Sequence, residues 1–203
     1  MLIGAPRLSG WQTSLAMVRG MRRVSVVGTV GSGKSTFARA LAARLNVPYV
    51  ELDELNWGPG WIQASAEELR NRVNEKIAGD AWVIDGNYWR KISGLVWTRA
   101  DTVVWLDLPW PLTFIRVLRR TIRRSLSRAE LFNGNRETLR EAFFSRDSLW
   151  LFAIRAARGR RRIGEQRLAQ FGRADLTVFR FRSQADADRW LESAILDARR
   201  SNG

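Results

Sequence analysis

The sequence predicts an α/β fold built on a parallel sheet. Residues 24–37 read VSVVGTVGSGKSTF: a β-branched run, a glycine-rich turn, then apolar positions at helical spacing. Further short apolar runs recur at 47–52, 81–84, 102–106 and 176–179, separated by longer amphipathic stretches. The runs at 81–84 and 102–106 lead straight into an acid, Asp85 and Asp107. Parallel strands deliver ligand-binding groups at their C-terminal ends in this way.

The composition bounds what such a fold can do. The chain has 203 residues and 45% hydrophobic content, enough for one domain with a packed core and room for an inserted subregion. No apolar run is long enough to cross a membrane, and the first residues lack the order of a signal peptide. Residues 1–20 show no periodicity and read as a flexible N-terminal extension, with Met21 as an alternative start. The chain contains neither Cys nor His, so thiol nucleophiles, disulfides and imidazole chemistry are excluded. Catalysis must use carboxylates, Lys, Arg, hydroxyls and backbone, and a metal must sit on oxygens. A reducing cytoplasm fits the absence of Cys. The formal charge is +14, nearly all from Arg, since lysine occurs only at 34, 76 and 91. Arg recognises phosphate bidentately, but arginines also decorate solvated faces.

In chain order, the first strand enters Gly28-x-x-x-x-Gly33-Lys34-Ser35, a complete phosphate-loop pattern. Glycines at 28, 31 and 33 let successive N–H groups turn inward onto anionic oxygens. The helix that follows adds its positive N-terminal end, with Phe37, Ala38, Leu41, Ala42 and Leu45 on one face. Lys34 brings a full charge to the outer phosphates, and Ser35 offers a hydroxyl to Mg²⁺. The second strand, 47–52, closes a βαβ unit and ends at Asp53, which either meets a ligand or caps a turn. Trp57 and Trp61 flank a Gly-Pro-Gly turn and either stack on a planar substrate or pack the loop.

Ser65-x-x-Glu68 is a capping box that opens a helix through Leu69, Val73 and Ile77. The third strand ends at Asp85 and the fourth at Asp107. Either acid has the form of one that positions Mg²⁺ through water, and the Asp85-Gly86 continuation favours Asp85. Pro109 and Pro111 open a helix with Ile115, Leu118 and Ile122 on its apolar face and Arg116, Arg119, Arg120, Arg123 and Arg124 elsewhere. Residues 129–165 form an arginine-rich insertion, followed by a fifth strand at 176–179. A last helix begins at Ser183 and carries Ala187, Trp190 and Leu191.

These elements resemble the small P-loop kinases of the adenylate, shikimate and gluconate kinase type, over about 21–198. Within that group the pattern is most similar to adenylate-kinase-related DNA topology modulation (FlaR-type) proteins, through Leu52-Asp53-Glu54-Leu55-Asn56-Trp57, Asp85-Gly86-Asn87-Tyr88 and Gly134-Asn135-Arg136-Glu137. The resemblance implies a P-loop NTPase three-layer sandwich. Its sheet has five parallel strands in the order 2-3-1-4-5, and 129–165 form the lid. It also implies ATP contacts from Gly28, Val30, Gly31, Ser32, Gly33, Lys34, Ser35 and Thr36, and Mg²⁺ at Ser35 and Asp85. Arg119, Arg123 and Arg136 would close on the transferring phosphoryl group with Lys34, and Asp53 would meet the acceptor hydroxyl. Adenylate kinases continue Asp-Gly with Phe-Pro-Arg, where this chain has Asn87-Tyr88-Trp89-Arg90, so a hydroxyl-bearing metabolite stands beside a nucleotide as acceptor.

The expectation is therefore a cytoplasmic kinase using ATP and Mg²⁺ on a small acceptor. The alternative is a nucleotide-dependent nucleic-acid-binding protein with weak ATPase activity, for which the net charge, arginine clusters and tryptophans speak.

Overall fold

The runs at 81–84 and 103–106 carry no polar residue, so strands there cannot face water on either side and call for helices on both faces of the sheet. The computed structural model, which describes residues 20–127, 162–171 and 175–200, has this arrangement. The strands are β1 (Arg23–Gly28), β2 (Tyr49–Glu51), β3 (Trp82–Asp85), β4 (Thr102–Leu106) and β5 (Thr177–Phe181). They form one all-parallel sheet in the order β2-β3-β1-β4-β5, as expected.

The helices are α1 (Lys34–Leu45), α2 (Leu52–Asn56), α3 (Ala66–Lys76), α4 (Trp89–Trp97), α5 (Trp110–Ser127), a helix α6 over 162–171, and α7 (Gln184–Arg200). One face of the sheet packs Val24, Val26, Val83, Val104 and Leu106 against Phe37 and Leu41 of α1 and Trp190 and Leu191 of α7. The other packs Val27, Ile84, Val103 and Trp105 against Leu69 and Val73 of α3 and Ile92, Val96 and Trp97 of α4. The result is the expected helix–sheet–helix sandwich. The Ser65–Glu68 capping box forms in both directions at the start of α3. Ser183 caps α7, its hydroxyl accepting from the Asp186 N–H at 3.1 Å.

Three local features depart from the sequence reading. Strand β2 is shorter than expected: Leu52 turns into the core as the first residue of α2, so Asp53 lies in a helical first turn rather than at a strand end. Helix α4 has no counterpart in the sequence reading between β3 and β4, because its sequence carries Gly94 and no side-chain cap. Helix α5 buries Thr113, Val117 and Thr121, whereas Ile115 and Ile122 are exposed. Close approach to the loop after β1 requires the smaller face there. The expected extension over 1–20 lies, up to residue 19, outside the described residues, as does the expected insertion over 129–165 up to residue 161. No helix among the described residues is long and apolar enough to cross a membrane.

Candidate active site

The site is the C-terminal edge of the sheet around β1, where neighbouring connections leave in opposite directions and open a crevice. Its floor is the loop of residues 28–33. A Cβ on Gly28 would lie 2.6 Å from Ser32 Oγ and 2.9 Å from the Leu106 carbonyl oxygen. Gly31 and Gly33 hold φ of 81° and 82°, left-handed values that let the loop curl tightly. Gly33 is the N-cap of α1 and supplies no side-chain cap, so the positive helix end stays open to an anion. Ser32 Oγ and Thr29 Oγ1 are buried without a hydrogen-bond partner. A loop with left-handed glycines, an uncapped helix start and orphaned hydroxyls has the chemistry that suits anionic oxygens. Val30 is half-buried in this loop and Thr36 is exposed one residue beyond Ser35. Lys34 is half-buried and makes no hydrogen bond or ion pair with a described residue. Its charge is felt at Asp85.

Ser35 Oγ donates to Asp85 Oδ2 at 2.6 Å, so the two residues expected to serve a cation are in direct contact. Asp85 is 2% exposed, and the sheet register places it beside both Val26 and Glu51. Burial raises its pKa, while the Ser35 hydrogen bond, the Lys34 charge and the Tyr49 hydroxyl (3.0 Å) hold it down in part. Glu51 is raised by burial and by Asp85, and pairs with Arg39 at 3.1 Å. The oxygen-only pair Ser35–Asp85 suits a hard divalent cation that takes its remaining ligands from phosphate and water. Asp107 is buried too, but Arg180 of β5 donates to it through Nε (3.0 Å) and Nη2 (2.8 Å). Of the two strand-end acids, Asp85 faces the loop serine and Asp107 is held by a structural cation.

Asp53 lies on the β2 side, half-buried, and accepts the Tyr88 hydroxyl at 2.7 Å on Oδ1. Trp57 and Trp61 pack edge to face, ring centroids 5.5 Å apart, which matches the loop-packing alternative. On α5, Arg119 and Arg123 are exposed, and Arg136 lies outside the described residues. An α5 arginine that does reach the loop is Arg116. A Cβ on Gly33 would lie 4.0 Å from its Nη1 and 3.9 Å from Gln184 Oε1, and these two side chains hydrogen-bond at 2.9 Å. Sequence reasoning places Arg116 in a charged run without singling it out. It also misses Asn87, whose side chain accepts from the Gly28 N–H at 3.2 Å and donates to the Gly28 carbonyl. Its signals in the sequence are its place two residues after a strand-end acid and its part in the Asp85-Gly86-Asn87-Tyr88 stretch.

A parallel sheet in this order, with a phosphate loop after its central strand, has the P-loop kinase fold. The chain resembles P-loop kinases of the adenylate and shikimate type in sequence as well. A family model described as ATPase family associated with various cellular activities (AAA) matches residues 24–84. A putative adenylate kinase of Thermococcus onnurineus (strain NA1) is 35% identical over 71 residues, 32% of this chain, which spans 39% of that relative's length. A shikimate kinase of Persephonella marina (strain DSM 14350 / EX-H1) is 26% identical over 149 residues, 64% of this chain and 84% of the relative. Among solved structures, a shikimate kinase from Acinetobacter baumannii in complex with shikimate superposes with a TM-score of 0.54 at 19% identity, covering 92% of this chain and 97% of that one, a likeness of fold.

Proposed function

We propose that this protein is an ATP-dependent phosphotransferase that moves the γ-phosphoryl group to a small hydroxyl-bearing acceptor, a nucleotide or a metabolite, in the cytoplasm. The observation that carries this reading is the Ser35–Asp85 contact at an uncapped glycine loop, with Lys34, whose charge acts on Asp85, beside it. Phosphoryl transfer asks a protein mainly to position groups and offset charge. The loop N–H groups and Lys34 grip the phosphates. Ser35 and Asp85 would hold Mg²⁺, which would supply charge compensation for the phosphates. Asp53 aligns the acceptor hydroxyl, and Arg119, Arg123 and Arg136 add cations as the arginine-rich region closes, a closure that excludes water. The test is ATP consumption screened over nucleotides and hydroxyl metabolites. An acceptor that raises turnover well above slow hydrolysis supports the reading. ATP binding with no stimulating acceptor refutes it.

A second reading, nucleic-acid binding with weak ATPase activity, draws on the exposure of Arg119 and Arg123 along α5. It requires affinity for DNA that falls linearly with salt on a log–log plot. A flat or absent response removes it.

A further inference from the structure

The turn after β3 touches the site at three side chains. Asp85 takes the Ser35 hydroxyl. Asn87 pairs with both backbone polar groups of Gly28, continuing the β3 side of β1 past the point where the β3 strand register ends. Tyr88 donates to Asp53 Oδ1 at 2.7 Å. Between them, Gly86 passes so close to α2 that a Cβ there would lie 2.7 Å from Leu52 Cβ. The same turn starts α4, whose Lys91 and Ile92 N–H groups donate to the Tyr88 carbonyl at 2.9 and 3.0 Å. Its position is therefore set by the core.

We propose that the 85–88 turn registers the phosphate donor against the acceptor: Asn87 is a positioning residue for the phosphate loop, and Tyr88 is a positioning residue for Asp53. The inference rests on the kinase reading above. Asp53 Oδ2 accepts no hydrogen bond from a described residue, so with Oδ1 held by Tyr88 it is the oxygen left to receive an acceptor hydroxyl. In the step this serves, the acceptor oxygen bonds to the γ-phosphorus as the bond from that phosphorus to the β–γ bridging oxygen breaks. The electron pair leaves on ADP, and the hydroxyl proton passes to Asp53 Oδ2. Burial and the Asp53 charge push the Tyr88 phenol's pKa up, so Tyr88 remains a donor across the working pH range. A carboxylate held at one oxygen presents the other in a defined direction, and misplacement of a reacting group by an ångström is costly.

The test compares Tyr88→Phe, Asn87→Ala and Asn87→Asp with the wild type, using the acceptor found by the screen. Tyr88→Phe keeps the ring that packs against the α3–α4 core. Its kcat for acceptor phosphorylation falls about ten- to hundredfold, the range for a lost hydrogen bond to a charged group. KM for ATP and acceptor-independent ATP hydrolysis stay unchanged. In an Asp53→Asn background the same substitution has no further effect, because Tyr88 acts through Asp53. Asn87→Ala weakens ATP binding about tenfold. Asn87→Asp keeps an acceptor for the Gly28 N–H but sets a charged oxygen against the Gly28 carbonyl beside the phosphate loop, so it weakens ATP binding at least as much. If the wild type phosphorylates an acceptor and Tyr88→Phe matches it in kcat, or if its loss is equal with and without Asp53, the inference fails while the kinase reading stands. If the wild type phosphorylates nothing, the reading fails and Tyr88's role with it, while the Asn87 effect on ATP affinity remains measurable by binding.

Discussion

Replacing Gly31 with Ala tests how tightly the phosphate loop is pressed against α5. At φ +81°, a side chain costs about 1–2 kcal/mol for the left-handed backbone alone. The added Cβ would lie 2.7 Å from Val117 Cγ2 and closer still to the Thr113 carbonyl oxygen. That oxygen belongs to helical backbone and cannot yield cheaply, so overpacking adds about 1–3 kcal/mol. Gly31→Ala should therefore cost about 2–5 kcal/mol. Gly60 supplies the control: it too has positive φ, +67°, but a Cβ there would meet nothing within 4 Å, so Gly60→Ala should cost about 1–2 kcal/mol. Urea denaturation of both variants, with ATP-analogue binding in parallel, separates the steric part as their difference. Equal losses at the two positions, or wild-type nucleotide affinity in Gly31→Ala, would refute the packing of the loop on α5.

Two further outcomes follow from the buried acids. Arg180→Met removes the charge-assisted hydrogen bonds that Arg180 gives the buried Asp107 and should cost about 1.5–3 kcal/mol in denaturation. Adding Asp107→Asn should recover most of that loss, and a single-variant cost under about 1 kcal/mol would contradict the pairing. Asp85 holds its proton more tightly folded than unfolded, so the stability it lends is present at acid pH. That stability is lost as pH rises from the ordinary carboxylate range through the raised value. Asp85→Asn should flatten that decline and raise the thermal midpoint of the nucleotide-free protein at neutral pH, while weakening Mg²⁺-dependent ATP binding. Melting curves across pH check this, and a midpoint lowered by Asp85→Asn at neutral pH would count against a burial-strained carboxylate.

Much of the fold is legible in the sequence because its signals are local. The loop at 28–35 lies between a β-branched run and a helical pattern, and β3 and β4 announce themselves as apolar runs ending in acids. The strand order comes from family resemblance, since hydrophobic patterning does not encode which strand lies beside which. For that reason sequence alone does not separate Asp85 from Asp107. The separation depends on a serine one helix away and on Arg180 from β5, both long-range contacts. The inner face of α5 is misleading in sequence because a hydrophobic stripe favours Ile115 and Ile122, whereas contact with Gly31 needs Thr113 and Val117. Asn87 stands in for ladder hydrogen bonds at Gly28 and Tyr88 reaches the Asp53 carboxylate, each through a single side chain that leaves no periodicity to read.

The central claim is that the loop around Gly31 and Gly33 closes on a polyphosphate and that Lys34 completes the grip. Calorimetric titration of Mg²⁺–ATP into wild type and Lys34→Ala measures it directly. Lys34 has no hydrogen-bonding partner among the described residues and only a part in holding Asp85 ionised, so its loss should lower the melting temperature little. Losing a charge-assisted hydrogen bond of about 1.5–3 kcal/mol weakens ATP binding at least about tenfold. Equal affinity in the two proteins would contradict the account.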